Sequence, residues 1–203
     1  YDRFAFAKDL VETKAKIALV APSHVATLEE SGLQDNALSH LKYIFIGGEA
    51  IMPAAMEKFR KTGDRLGIQY ILNGYGMTET APVSTQTKIG VPLEKQVSTV
   101  GTVMDHLEIK IIDSETRKIV PRGESGELCT RGYSVMLKYW NDPIKTAEVL
   151  DEGRWMHTGD LASMDAEGYI TITGRIKDLI IRGGENISPK WIEDFLYTHP
   201  KIV

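Results

Sequence analysis

Short apolar runs separated by stretches of helical periodicity set the pattern of the first third of the chain. Ile17-Ala18-Leu19-Val20, Tyr43-Ile44-Phe45-Ile46 and Ile68-Gln69-Tyr70-Ile71-Leu72 each read as a short buried strand. Pro22 stops the first, Gly47-Gly48 the second and Asn73-Gly74 the third. Between the second and third, the spacing predicts a helix from Pro53 to Leu66. Its Ala55, Met56, Phe59 and Leu66 share one face, and Glu57 and Lys61 stand one i,i+4 step apart on the other. Pro53 suits the first helical turn, where its missing N–H costs no hydrogen bond. Three short strands joined by helices predict a parallel α/β sheet.

Beyond Pro92 the period changes from helical to twofold. Leu107, Ile109 and Ile111 alternate with Glu108 and Lys110, and Ile170 and Ile172 alternate with Tyr169, Thr171 and Thr173. Asp113-Ser114-Glu115, Pro121-Arg122-Gly123 and Asp165-Ala166-Glu167-Gly168 supply turns between them. This half reads as antiparallel β structure closing into a small distorted barrel. One helix interrupts it, with Asp142 as N-cap, Pro143 at the first position and an end near Leu150. Leu179-Ile180-Ile181 is a further strand and Gly183-Gly184-Glu185-Asn186 a turn. Ser188-Pro189 then caps a helix whose apolar face is Ile192, Phe195, Leu196 and His199. The expected architecture is an α/β sheet part over residues 1–92 and a β-rich part over 93–175, both of one large domain. A hinge and the beginning of a small α+β domain follow over 176–203.

Composition narrows the function without naming it. The 203 residues are 42% hydrophobic and 26% charged, as in ordinary globular proteins. A formal charge of −4 gives no electrostatic reason to expect nucleic acid or an anionic membrane surface as partner. No apolar run approaches the roughly 18 residues of a transmembrane segment. Cys129 is the single cysteine, which excludes an internal disulfide and a Cys-based metal cluster and fits a reducing, cytoplasmic setting. Five scattered histidines show no zinc-ligand spacing. The sequence opens on Tyr1 and closes as a new apolar run begins at Ile202-Val203, so it is expected to be an internal piece of a longer protein.

Candidate chemistry gathers at the strand ends. In parallel sheets ligands sit beyond the carboxyl ends of the strands, where both Gly47-Gly48-Glu49-Ala50 and Asn73-Gly74-Tyr75-Gly76-Met77-Thr78-Glu79-Thr80 fall. Glycines let the backbone approach a ligand, Tyr75 can stack on a base, and Thr78-Glu79 can address a phosphate and its cation. The stretch nearly matches a dinucleotide fingerprint, but Glu79 replaces the third glycine. A carboxylate beside phosphates is tolerable with a divalent cation between them. A tight turn with Tyr75 half-buried and Thr78 capping a helix accounts for the same residues. Downstream, Asp160 of Thr158-Gly159-Asp160 can accept two ribose hydroxyls or serve as an ordinary turn residue. Arg175 of Gly174-Arg175-Ile176-Lys177-Asp178 can fork onto a ribose or phosphate or form a surface Arg–Asp pair. His157 reads as structural, because no serine or cysteine is arranged for it to activate.

In this order, the motifs at Gly47–Ala50, Tyr75–Thr80, Thr158–Asp160, Gly174–Asp178 and Gly183–Pro189 closely resemble the adenylate-forming (AMP-binding) superfamily. That group includes acyl-CoA synthetases, adenylation domains and firefly luciferase. Gly126 to Gly132 and Val135 to Trp140 resemble its β region, and Gly183-Gly184-Glu185-Asn186-Ile187-Ser188-Pro189 is most similar to fatty and medium-chain acyl-CoA synthetases. The resemblance implies ATP, Mg2+ and coenzyme A as cofactor and co-substrates, with a carboxylic acid as substrate. Gly48, Glu49 and Ala50 would then lie along the adenine. Asn73, Gly74 and Tyr75 would belong to the same nucleotide site, with Tyr75 stacking on the base. Gly76 and Met77 would border the acyl pocket, joined by His24, Val25 and the neighbours of Tyr75. Thr78 would bind phosphate and Glu79 would hold Mg2+. Asp160 and Arg175 would take the ribose hydroxyls, Lys177 would be the hinge, and Gly183 and Gly184 would line the pantetheine tunnel.

The implied reaction forms an acyl-adenylate and then transfers the acyl group to coenzyme A. One alternative within enzymes is an adenylation domain or acyl-AMP ligase that loads a carrier-protein thiol. One from another class is a truncated, non-catalytic nucleotide-binding module. The family's phosphate loop and its late C-terminal lysine have no match here, so the 203 residues alone are expected to be inactive. Lys138 stands where the family commonly has glycine.

Overall fold

Among the residues the computed structural model describes (3–48, 51, 53–183, 185–196 and 199), two compact units share the chain. The first holds Tyr1–Gly76 and Gln86–Gly101, the second Met77–Thr85 and Thr102–Val203.

The first unit is built from α1 (Arg3–Thr13), β1 (Ile17–Val20), α2 (Pro22–Glu30), β2 (Tyr43–Ile46), α3 (Pro53–Leu66) and β3 (Tyr70–Tyr75). The chain returns to it through β4 (Thr85–Gln86) and α4 (Leu93–Ser98). Strands β1, β2 and β3 pair in parallel, and Val20, Ile46 and Asn73 align at their carboxyl ends. The predicted α/β sheet is therefore present. Helix α3 has the predicted bounds, buries Met56, Phe59 and Leu66, and carries the predicted Glu57–Lys61 pair at 2.9 Å on its outer face. Ala18, Val20, Ile44, Ile46 and Ile71 join these side chains and Val25 and Leu28 of α2 in one core. Fully burying such a residue contributes roughly 1.5–3 kcal/mol. Ile17 and Leu19 point the other way and are 61% and 73% exposed.

Strand β3 departs from expectation at both ends. It begins at Tyr70 and continues through Asn73-Gly74-Tyr75, the residues expected to turn. The ladder is prolonged by Thr87, whose N–H donates to the Asn73 carbonyl at 2.8 Å and whose hydroxyl accepts from the Asn73 N–H at 2.9 Å. Neither Gly74 nor Gly76 is left-handed, whereas Gly101 is, with φ +82°. A Cβ at Gly101 would overlap the backbone of Gln86.

The second unit contains β5 (Thr102–Val103), β6 (Leu107–Ile112), β7 (Gly126–Gly132), α5 (Pro143–Val149), β8 (Met156–Met164) and β9 (Ile170–Arg175). Strands β6 to β9 form an antiparallel sheet in chain order. The expected barrel is not closed among the described residues. Four strands are too few to curl round and pair first with last, and the sheet stays open between β6 and β9. The turn and cap chemistry follows the sequence. Asp113 Oδ1 accepts from the N–H of Thr116 at 2.6 Å, and Asp142 Oδ1 caps α5 by accepting from Lys145 N–H at 2.9 Å.

A hairpin of β10 (Ile180–Arg182) and β11 (Glu185–Ile187) follows, then α6 (Pro189–Leu196). Glu185 and Asn186, expected in the turn, are paired in β11, since a two-residue connection suffices between antiparallel strands. The Ser188 hydroxyl donates to the Thr173 carbonyl at 2.8 Å. On α6, Ile192 is 41% and Phe195 75% exposed. His199 lies past the end of that helix.

Candidate active site

In the first unit the candidate residues cluster where β2 and β3 end. Gly47 follows Ile46, and a Cβ on it would lie 3.4 Å from the Gly74 carbonyl, so the two glycine stretches run side by side. Asn73 is buried, and its side-chain amide donates to the Thr99 carbonyl at 3.1 Å, which makes it a clamp on the strand end. Gly74, Tyr75 and Gly76 are half-buried, and Gly48 is exposed. Glu49 and Ala50 lie outside the described residues, as does Gly184. Val25 is sealed in the core, 1% exposed, so it is a packing residue and not a pocket wall. His24 stands edge-on to Phe6, with ring centroids 5.1 Å apart.

In the second unit, Thr78-Glu79-Thr80 form a single tight helical turn. Thr80, not Thr78, closes it: its hydroxyl exchanges hydrogen bonds with the Met77 N–H and carbonyl at 3.1 Å each. That leaves Thr78 exposed and Glu79 half-buried. Met77 packs against the cluster of Val135, Leu150 and Met156. Glu79 is gripped twice by the segment after β7. Met136 N–H donates to its carbonyl at 2.8 Å, and the Tyr139 hydroxyl donates to its Oε1 at 2.7 Å. That bond to a carboxylate, chiefly, pushes the Tyr139 phenol up to about 12. Glu79 Oε2 has no hydrogen-bond partner among the described residues. A carboxylate oxygen without a partner is a hard-oxygen donor of the kind Mg2+ takes, so Glu79 fits the cation that the resemblance implies.

Thr158-Gly159-Asp160 is a bulge in β8. Glu127 pairs with Leu161 and Cys129 with His157, which leaves three residues opposite Leu128. Gly159 takes φ +71°, and the Thr158 hydroxyl donates to the Leu128 carbonyl at 2.7 Å while accepting from Asp160 N–H at 3.1 Å. Asp160 is thereby turned inward, 4% exposed. Across the ladder it faces Arg175, whose Nε donates to Asp160 Oδ1 at 2.7 Å. The partner of Arg175 is thus a buried carboxylate one strand away. Lys177 is exposed in the tight turn Ile176–Asp178 that leaves β9, and Gly183 is left-handed at the β10–β11 connection.

A second cluster was hidden by sequence distance. Glu127, Cys129 and His157 bring ligand-type atoms within 4.8 Å of one another. Arg117 already fills the space a cation would take, with its Nη1 2.8 Å from His157 Nδ1 and 3.3 Å from Glu127 Oε2. Burial, and next the Glu127 charge, push the Cys129 thiol up to about 12. The cluster is a closed polar network, and His157 serves as its centre.

A family model described as AMP-binding enzyme matches residues 1–140. The chain belongs to the AMP-binding enzyme family. It is 45% identical over 193 residues to the mitochondrial medium-chain acyl-CoA ligase ACSF2 of Danio rerio, covering 94% of this chain and 31% of that protein. A protein of Bacillus subtilis named for acyl-CoA synthetase activity, YngI, is 39% identical over the whole chain and 37% of its own length. Among solved structures, ATP-bound MatB from Rhodopseudomonas palustris superposes with a TM-score of 0.86 at 29% identity, covering 100% of this chain and 39% of MatB. The AMP-binding chain thus spans about a third of the length of the curated relatives it matches.

Proposed function

We propose that the protein to which these AMP-binding residues belong activates a carboxylic acid, of fatty or other aliphatic type, with ATP and passes the acyl group to coenzyme A. The observation that carries this reading is the Glu79 carboxylate, fixed at one oxygen by Tyr139 and without a hydrogen-bond partner at the other among the described residues, next in sequence to the exposed Thr78. Glu79 would hold Mg2+ and Thr78 would hold phosphate. When bound, the cation offsets charge building on the phosphates during displacement at the α-phosphorus. Tyr75, with Gly48, Glu49, Ala50, Asn73 and Gly74, would bind the adenine. Asp160 would accept from the ribose hydroxyls and Arg175 would donate to them, each orienting the nucleotide for attack by the acid. Gly76 and Met77 would border the acid.

The finer roles extend the same reading. Lys177 would be the hinge and Gly183-Gly184 the wall of the thiol channel, with 1–92 and 93–175 as parts of the large domain and 176–203 opening the small one. Relatives named as acyl-CoA ligases support coenzyme A over a carrier-protein thiol as acceptor. No described helix is long and apolar enough to cross a membrane. The buried free thiol of Cys129 suits a reducing compartment, proposed as the cytoplasm. Since the 203 residues match only about a third of those relatives, they are proposed to be inactive alone.

The test is thioester formation by the complete protein. Incubation with ATP, Mg2+, a medium-chain fatty acid and coenzyme A should yield acyl-CoA and AMP. Adenylate that accumulates without reacting with coenzyme A, but loads a carrier-protein thiol, would replace this reading with the second one.

A further inference from the structure

The geometry points to Tyr139 as the positioning residue for Glu79, aiming its Oε2 at the divalent cation; this rests on Glu79 being the cation's ligand as proposed above. A glutamate side chain on a solvent-facing turn samples several rotamers, and ordering it carries an entropic cost at the moment of binding. Here that ordering is built in. The Tyr139 hydroxyl donates to Oε1 at 2.7 Å, which leaves Oε2 without a hydrogen-bond partner among the described residues. A carboxylate held at one oxygen ligates through the other alone, the single-oxygen mode suited to an octahedral cation that keeps several waters.

Tyr139 can act this way because it is itself held. Its backbone N–H donates to the Thr146 hydroxyl at 3.0 Å, and the Lys145 ammonium lies 5.0 Å from the centre of its ring. The segment before it is tied by Arg154, whose guanidinium donates to the Met136 carbonyl at 2.7 Å and to the Leu137 carbonyl at 3.2 Å. Met136 N–H in turn fixes the Glu79 carbonyl at 2.8 Å. Backbone and side chain of Glu79 are thus located by one braced segment 60 residues away.

The experiment measures Mn2+ binding by electron paramagnetic resonance in the complete protein, with a non-hydrolysable ATP analogue present. Wild type, Tyr139→Phe, Glu79→Gln and the double variant are compared. Removing an outer partner of a metal ligand typically weakens binding roughly 10- to 100-fold. Tyr139→Phe should weaken Mn2+ binding by that factor, while analogue affinity measured without a divalent cation stays unchanged. The phenylalanine should have no further effect once Glu79→Gln is present. Unchanged Mn2+ affinity in Tyr139→Phe, with Glu79→Gln weakened, would overturn the positioning role alone. Unchanged affinity in Glu79→Gln would overturn the ligand assignment beneath it. If Tyr139→Phe lowers the unfolding temperature, 4-aminophenylalanine at position 139, which keeps the ring and an N–H donor at its tip, should restore Mn2+ affinity toward wild type; affinity as weak as in Tyr139→Phe would overturn the inference.

Discussion

Arg175 Nε donates to Asp160 Oδ1 at 2.7 Å across the β8–β9 ladder, and the carboxylate it holds is buried while the guanidinium is half exposed. The pair is assembled from two motifs, each of which has a plain structural reading by itself. Register brings them together, because Asp160 and Arg175 are direct cross-strand partners. If they address the ribose, Asp160→Asn in the complete protein should weaken ATP binding roughly 10-fold or more, the scale of a lost hydrogen bond to a charged group. Binding of dideoxy-ATP, which lacks the ribose hydroxyls, should barely change. Calorimetry with both nucleotides separates the two, and equal losses for both would remove Asp160 from the ribose site.

Cys129 should be chemically quiet. Its thiol is buried and pushed up to about 12, and thiolate is the reactive form. Folded protein at pH 8 should react with iodoacetamide far more slowly than urea-unfolded protein. The linkage runs one way. Below the unfolded value near 9.0 both states keep the proton; between there and about 12 the unfolded state loses it first. Stability should therefore fall as pH rises through that window, and Cys129→Ser should flatten the fall. Rapid labelling of the folded chain would contradict the burial.

Gly101→Ala should destabilise the first unit. The left-handed conformation alone costs a residue with a Cβ roughly 1–2 kcal/mol, and here the added carbon also meets the Gln86 backbone. Urea unfolding should show a lower midpoint with an unchanged slope. A neutral result would mean that the 86–101 segment can shift to admit the methyl group.

Met56 is fully buried against Phe59 and Leu66 on the core face of α3. Met56→Ala should cost about 2–5 kcal/mol, the range for removing a large core side chain, whereas Lys61→Ala on the outer face should cost less than about 1 kcal/mol. Comparable losses at the two positions would contradict the assigned face.

How legible these features were depended on range. Helix α3 could be read because Met56, Phe59 and Leu66 keep helical spacing and Pro53 marks its start. Strand β6 could be read because Leu107 and Ile111 alternate with charged neighbours. Strand β7 is legible through the family resemblance of Gly126 to Gly132 and not through its pattern: Glu127 and Thr130 are buried along with Leu128 and Cys129, so no face alternates with polarity. The end of β3 is not legible locally, because Thr87, distant in sequence, continues the ladder past Leu72. Motif order is what proposes Thr78, Glu79, Asp160 and Arg175 as parts of one nucleotide site. Tyr139 was visible only as part of a family-like stretch, since nothing local to Leu137-Lys138-Tyr139 signals a bond to a residue 60 positions earlier. The same holds for the Glu127–His157 contact, which spans 30 positions.

Acid-dependent exchange of pyrophosphate into ATP measures most directly whether Glu79 serves nucleotide activation. The complete protein should catalyse exchange only with Mg2+ and a carboxylic acid present. Glu79→Gln should lower the rate at least about 100-fold at the same folded fraction, the lower end of what one transition-state contact supplies. Exchange by Glu79→Gln at the wild-type rate, with the same Mg2+ dependence, would contradict the account.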